Sequence, residues 1–277
     1  MKRVGSVVAA TVLGLFVLVA LLGPLLVPYD SVATRVADRL RPPFSTASDG
    51  TFALLGTDQN GRDVLAQVIA GSRVSLLVGI TVVVVGGLIG LVLGLVAGYY
   101  GGWLDTIISR IGDMQLAFPS ILLAILLAGA LGPSLTTVIV ALAVTRWVVF
   151  ARVVRGSALT TRGREFVESA RVMGASDARI LVHYILPSCV QPLLVAATVQ
   201  VGLTMVAEAA LSFLGLGVPV DQASWGSTIA NGRDYLATAW WIAAVPGIAL
   251  TLVVICVGVL GDATRDKSDP ASEVVAR

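Results

Sequence analysis

The feature that most constrains this chain is a set of long stretches without one ionisable side chain. The first, Val4 to Val27, is 24 residues long. At about 1.5 Å per residue in a helix, it more than crosses a hydrocarbon core of about 30 Å. Val74 to Leu104 adds 31 such residues and Met114 to Thr145 another 32. Of the 277 residues 56% are hydrophobic and 13% charged, and the mean hydropathy is +0.91. That is more apolar side chain than one soluble core can bury, so the runs read as helices in lipid.

The spans follow from where the runs break. A cleaved signal peptide is the rival reading of the first run, but its length exceeds the usual apolar region of about 7 to 15 residues, which favours a retained anchor. Gly98, Tyr99, Tyr100, Gly101 and Gly102 mark the exit of the second span. Gly132-Pro133-Ser134 reads as a turn and splits Met114–Thr145 into two spans. Pro192 to about Phe213 supplies a fifth, interrupted only by Glu208. Ala237 to Leu260 supplies a sixth, with Trp240 and Trp241 as interfacial anchors and Pro246-Gly247 as a kink.

With Lys2 and Arg3 inside, this count puts residues 155 to 188 in the cytoplasm. Arg152, Arg155, Arg162, Arg164, Arg171 and Arg179 on that segment and its approach agree with the positive-inside rule. The loop Pro28–Arg73 also carries five arginines and is then external, which runs against the rule. Arg265 and Lys267 end inside. The expected architecture is an all-α membrane protein of six transmembrane helices with both termini cytoplasmic.

Other chemistry is sparse. A net charge of +2 does not argue for nucleic acid. Cys189 and Cys256 lie in apolar runs with no metal-ligand spacing, and His183 has no Cys, Asp or Glu at ligand spacing. No Walker A glycine loop occurs.

The segment "EFVESARVMGASDARILVHYILP", residues 165 to 187, is therefore conspicuous. Arg164 to Met173 are good helix formers, with Phe166, Ala170 and Met173 at i, i+4 and i+7 as an apolar ridge flanked by Glu165, Glu168 and Arg171. Gly174 permits a sharp turn, and Ser176 can cap a second helix running to Pro187. The result is a helix-turn-helix hairpin whose ridge suits either a protein partner or the lipid interface.

The run Glu168-Ser169-Ala170, three residues, Gly174, nine residues, Tyr184-Ile185-Leu186-Pro187 resembles the EAA loop of ABC importer permeases. Ser169 stands for the middle alanine of that pattern and Tyr184 for its isoleucine. "LLGTDQNGRDVLAQVIAGSRVSLLVG", "EAALSFLGLGVPVDQASWGSTIANGRDYL" and "LGDATRD" resemble, in order, stretches of the dipeptide, oligopeptide and nickel permeases of the DppC/OppC type. The resemblance covers residues 1 to about 270.

It implies a transmembrane permease subunit of an ATP-driven importer that moves peptides inward by alternating access, in a bacterial or archaeal cell (inner) membrane. Nickel or another small solute is the alternative substrate, and a secondary transporter is a rival class that the EAA-like loop disfavours. Residues 1–73 would be the N-terminal span and external loop, and 74–277 a five-span core with the EAA-like loop at about 155–188. Phe166, Glu168, Ser169, Ala170, Met173, Gly174, Leu186 and Pro187 would couple to the ATPase. The implied partners are a second homologous permease, two cytoplasmic ATPase subunits and an extracytoplasmic substrate-binding protein. ATP and Mg would be held by the ATPases, with no cofactor and no enzymatic site in this chain.

Two charges fall within spans. Arg146, about 12 Å deep from the cytoplasmic end, reads as a snorkelling cation or a pathway residue, and Glu208 as a pathway, interhelical or interfacial capping residue. Asp58, Asn60, Gly61, Arg62 and Asp63 read as a polar turn that orders the external loop, against a metal or sugar site.

Overall fold

The computed structural model describes residues 2–26, 33–219 and 222–268. The junction expected between the first span and the external loop (27–32), Val220 and Asp221 in the last external loop, and the boundary at 277 lie outside the described residues.

The chain runs as α1 (Lys2–Leu26), α2 (Val64–Tyr100), α3 (Gly102–Leu116), α4 (Ser120–Leu131), α5 (Leu135–Arg162), α6 (Glu165–Val172), α7 (Asp177–Ile180), α8 (Leu186–Phe213), α9 (Trp225–Gly232) and α10 (Trp241–Ser268). Between α1 and α2 lies a small module with a 3-10 turn at Val36–Asp38 and two short antiparallel strands, β1 (Ser45–Thr46) and β2 (Phe52–Ala53). Five helical stretches are long and apolar enough to cross a membrane: Val4–Gly23, Val64–Tyr100, Leu135–Arg162, Asp177–Phe213 and Trp241–Arg265. A sixth crossing requires α3 and α4 together, bent by 86°.

Packing of α2 on α5 decides how the chain returns. Gly86, Gly90, Gly94 and Gly98 recur every four residues on α2 and face, in rising order, Trp147, Phe150, Val154 and Ala158 of α5. Small residues at this spacing let two backbones approach closely, the main source of helix association where lipid is as apolar as the side chains. The rising register makes α2 and α5 parallel. Something must therefore carry the chain back between them, and α3–α4 does so.

One end of the bundle holds residues 33–63 and α9. There Trp241 Nε1 donates to Thr57 O at 3.1 Å, and Trp225 Nε1 donates to Val68 O at 2.9 Å. The other end holds α6–α7. The C-terminal half of α1 sits at the loop end, with Phe16 edge-on to Trp225 at 5.8 Å. The start of α1 and the finish of α10 therefore point to the hairpin end.

Several boundaries differ from the sequence expectation. α2 begins ten residues before Val74, because Asp63 caps it by accepting from Ala66 N at 2.9 Å. Its outermost turns, with Gln67, Ser72 and Arg73, extend beyond the length that lipid requires. The turn at 132–134 is present: Gly132 has φ +82° and Ser134 caps α5 through Thr137 N. The expected third span, however, does not start at Met114, which lies in the last turn of α3. Pro119 separates α3 from α4, and α4 alone, 12 residues, is about 18 Å long and too short to cross. Span five begins earlier than Pro192, since the helix runs unbroken from Asp177 through a π-turn at Leu181–Ile185. Span six starts at Trp241 rather than Ala237 and continues to Ser268, with Pro246 inside it. Trp240 is exposed, but Trp241 is buried against the loop module and is not an interfacial anchor.

The loop module also accounts for two of its arginines. Arg41 Nε lies 2.8 Å from Asp38 and Arg35 pairs with Asp49, so these two of the five guanidiniums are compensated locally. Asp58 organises the 58–63 turn, accepting from Asn60 N and Arg62 N at 2.8 Å and from Gln67 Nε2 at 2.9 Å, while Gly61 takes φ +73°. That is the polar turn expected of the sequence.

Candidate functional site

The hairpin is anchored on one face. Val167 of α6 and Ile180 of α7 are buried in a cluster with Tyr99, Val154, Ala158, Ile185 and Cys189 from α2, α5 and the start of α8, and Ala170 of α6 is buried as well. Tyr99 Oη donates to the Asp177 carboxylate, Arg162 donates to Tyr99 O at 2.8 Å, and the Thr161 and Ser188 hydroxyls bond at 2.8 Å. These polar contacts tie the ends of α2 and α5 to the hairpin.

Its turn is a Schellman motif: Ala175 N donates to Ala170 O and Gly174 N to Arg171 O, with Gly174 at φ +83°. Ser176 occupies the cap position of α7, but its side chain accepts no cap bond, which corrects the expected role. The second helix does not stop at Pro187. The π-turn leads α7 into α8 without a break, with Leu186 N donating to Leu181 O and Pro187 following it as the second residue of α8.

The expected ridge is divided. Ala170 is buried, whereas Phe166 is 46% exposed, Met173 79% and Val172 89%. Phe166 stacks at 6.1 Å on the Tyr184 ring. Glu168 and Ser169 are exposed, Leu186 is half-buried and Pro187 is exposed. The hairpin therefore has an inner edge of small and branched residues fixed to the bundle and an outer edge of bare large apolar groups. A groove of about 540 Å³ borders it, lined by Arg152, Gly156, Thr160, Arg164 and Phe166 among others.

The two intramembrane charges are not brought together. Glu208 is 0% exposed; Ser75 Oγ of α2 donates to its Oε2 at 2.8 Å and Ser212 Oγ to its Oε1 at 2.7 Å. That makes it an interhelical strap between α8 and α2 rather than an interfacial cap. Arg146 is half-buried and donates to Leu203 O of α8 at 3.3 Å. Gln200, Thr204, Glu208 and Ser212 form a buried polar stripe four residues apart on α8. Gln200 Oε1, Thr204 Oγ1 and Arg146 Nε have no hydrogen-bond partner among the described residues. His183 is exposed, with Nδ1 3.2 Å from Arg179 O.

Residues 90–273 match the family described as the binding-protein-dependent transport system inner membrane component, and residues 1–43 match the N-terminal TM domain of oligopeptide transport permease C. The chain belongs to this permease family. It is 43% identical over 277 residues to a transport-system permease protein of Brucella suis biovar 1, covering 99% of this chain and 90% of that one. The dipeptide transport system permease protein DppC of Alkalihalophilus pseudofirmus is 38% identical, with 96% of this chain and 85% of that one covered. The glutathione transport system permease protein GsiD of Pectobacterium atrosepticum is 41% identical, with 94% and 86% covered. The fold is that of an inward-facing MetNI methionine ABC transporter structure, at TM-score 0.60 and 23% identity over 73% of this chain and 96% of that one. The permease is a multi-pass inner membrane component of an ABC transport system.

Two features of the permease were accessible in the sequence and missed by a reading based on charge-free runs, and a third was not accessible. The glycine ladder on α2 is visible as spacing at 86, 90, 94 and 98. The four-residue spacing from Gln200 to Ser212 on α8 marks one polar face. The clamp of α3 on α5, with Arg152 Nη2 2.7 Å from Asp113 and Arg155 Nη2 2.6 Å from Asp105, had no local signal because its partners are far apart in sequence.

Proposed function

We propose that this permease is the membrane subunit of an ATP-driven importer of short peptides, with the hairpin end in the cytoplasm. The observation that carries the reading is the hairpin itself: inner edge locked to α2, α5 and α8, outer edge bare at Phe166, Val172 and Met173. A rigidly mounted apolar knob transmits motion from a docked subunit to the spans, as one resting on lipid would not. The relatives named for dipeptide and glutathione transport support peptides as the cargo.

On this reading residues 1–73 are the N-terminal span and external loop and 74–277 the five-span core. Phe166, Glu168, Ser169, Met173 and Gly174 form the docking edge, with Ala170 fixing it from behind and Leu186-Pro187 leading into α8. Two cytoplasmic ATPases hold ATP and Mg, a second permease completes the path, and an extracytoplasmic binding protein delivers cargo. Closure of the ATPases would move the two hairpins and tilt α8 against α2 about the Glu208–Ser75 contact, opening the path outward; hydrolysis would reset it. Arg146 and the stripe on α8 supply polar groups along the path.

The test is growth of a strain lacking this gene on an essential amino acid supplied only within a dipeptide. The strain should fail on the dipeptide, grow on the free amino acid, and recover when the gene is restored. Normal dipeptide uptake in the deletion strain would overturn the cargo.

A further inference from the structure

At the loop end a cavity of about 260 Å³ opens between the first turns of α2, the end of α8 and α9. Its polar lining is Arg62, Gln67, Ser212, Gln222, Ser227 and Asn231, with Pro133, Phe213 and Val218 among the apolar walls. At about 30 Å³ per water it has room for roughly nine waters, which is close to the number of heavy atoms in a small dipeptide.

Among the described residues that line it, the charge is one-sided. Arg62 is the one ionisable residue among its described lining residues. The backbone of Arg62 is fixed on both sides by Asp58, whose carboxylate accepts from Arg62 N while Asp58 N donates to Arg62 O at 2.9 Å. Its guanidinium, however, has no ion pair among the described residues, and its Nε is buried without a hydrogen-bond partner. A half-buried guanidinium of this kind is under-satisfied, and a carboxylate is the group whose geometry matches its fork. Gln67 is already held on both sides, donating to Asp58 at 2.9 Å and lying 3.4 Å from the Thr228 hydroxyl, so it shapes the wall rather than competing for a ligand. The floor is Ser212, whose hydroxyl is committed to Glu208 and through it to Ser75. Whatever sits in the cavity thus touches the strap between α8 and α2.

We propose that this cavity is an entry subsite of the permease that takes the free carboxyl end of a short peptide on Arg62. The proposal rests on the peptide-importer reading and adds to it the group recognised and the residue that recognises it. A carboxylate on Arg62 brings the rest of the peptide over Asn231 and Ser227 toward Ser212, where its presence is felt at the α8–α2 contact.

The test uses the assembled transporter in lipid nanodiscs without its binding protein, so that the selectivity of the latter does not enter. Binding of a radiolabelled dipeptide is competed by the same dipeptide as free acid or as C-terminal amide. The free acid should compete about tenfold or more better than the amide, and Arg62→Gln should bring the two to parity, with Arg62→Lys in between. Assembly of each variant is checked by size-exclusion chromatography. Equal competition by acid and amide in the native complex, or an undiminished preference in Arg62→Gln, would overturn the subsite. If Arg62→Gln does not assemble, Asn231→Leu, which replaces a polar lining group of the cavity with an apolar one, serves instead: it should weaken free-acid binding about tenfold, and unchanged binding would refute the proposal. Uptake of the dipeptide into proteoliposomes with the binding protein present separates the two levels. Uptake without an Arg62-dependent acid preference rejects the subsite alone, whereas absent uptake rejects the peptide reading beneath it.

Discussion

Two neighbouring glycines of α2 should respond to the same substitution with opposite sign. At Gly90 an added Cβ would lie 2.5 Å from Phe150 Cβ, 2.7 Å from Trp147 O and 2.8 Å from Ala151 N. Two of these are backbone atoms of α5, which no rotamer change can move, so α2 and α5 must separate along the face where they pack most closely. Overpacking of this kind costs about 1–3 kcal/mol. At Gly87, three residues earlier, an added Cβ meets nothing within 4 Å. The clash of Gly90→Ala has no counterpart there, and Gly87→Ala gains up to about 1 kcal/mol from the lower backbone entropy of alanine in the unfolded chain. The expected gap between the variants is about 2–4 kcal/mol, or on the order of thirtyfold or more in the folding equilibrium. The assay is titration of the purified permease in mixed micelles with dodecyl sulfate, following helix content and tryptophan emission. Equal midpoints for the two variants would refute the claim that the glycine ladder seats α2 on α5.

Further outcomes follow from the hairpin and the loop module. Gly174→Val should leave insertion intact and reduce ATPase association or transport, because an added Cβ has open space but φ +83° strains a branched residue by about 1 kcal/mol or more; Gly174→Asn should keep most activity, and wild-type transport by the valine variant at matched expression would remove the hairpin as the joint. In a background without Cys189 and Cys256, Ser176→Cys should react with an impermeant maleimide only from the cytoplasm and Thr46→Cys only from outside, Ser48 being avoided because it holds Asp38; reaction of both from one side would refute the orientation. The carboxyl of Asp38 is held below the usual range although burial works to raise it, because Ser48 and Arg41 bond the charged form. Its contribution is therefore present above the unfolded value of about 3.9 and lost as pH falls through the lower folded value. Asp49 adds in the same sense through Thr51 and Arg35, while burial raises Asp63 and opposes it. Amide protection across residues 35–58, taken relative to the intrinsic exchange rate at each pH, should fall on acidification below about pH 4, and Asp38→Asn should lower it already at neutral pH; no difference between variant and native at neutral pH would discount the Ser48–Asp38–Arg41 contact.

The legible part of this molecule was what a transfer free energy alone dictates. Runs without charge place five crossings because each ionisable side chain in lipid is costly, and the Gly132–Ser134 turn is written in residues that cannot continue a helix. What escaped depends on partners distant in sequence. The outer turns of α2 carry Gln67 and Arg73 and look like loop, yet Asp63 caps them and α9 covers them. Trp241 has the composition of an interface anchor, but its indole N–H finds Thr57 O across 184 positions of sequence.

The hairpin is the instructive case. α6 is eight residues long and offers two apolar edges, Val167 with Ala170 and Phe166 with the Val172–Met173 tip. Periodicity cannot rank them, because both fit a helix and only the neighbouring surface decides which is buried. That surface is the crowded meeting of Tyr99, Val154 and Ile185, which takes Val167, while Ala170 is small enough to be buried on the same edge. The small edge therefore goes in and the large edge stays out. The arrangement leaves Val172 and Met173 bare and Phe166 covered on one side only, by Tyr184, which is unfavourable in water for an isolated subunit and becomes favourable only when another surface covers them.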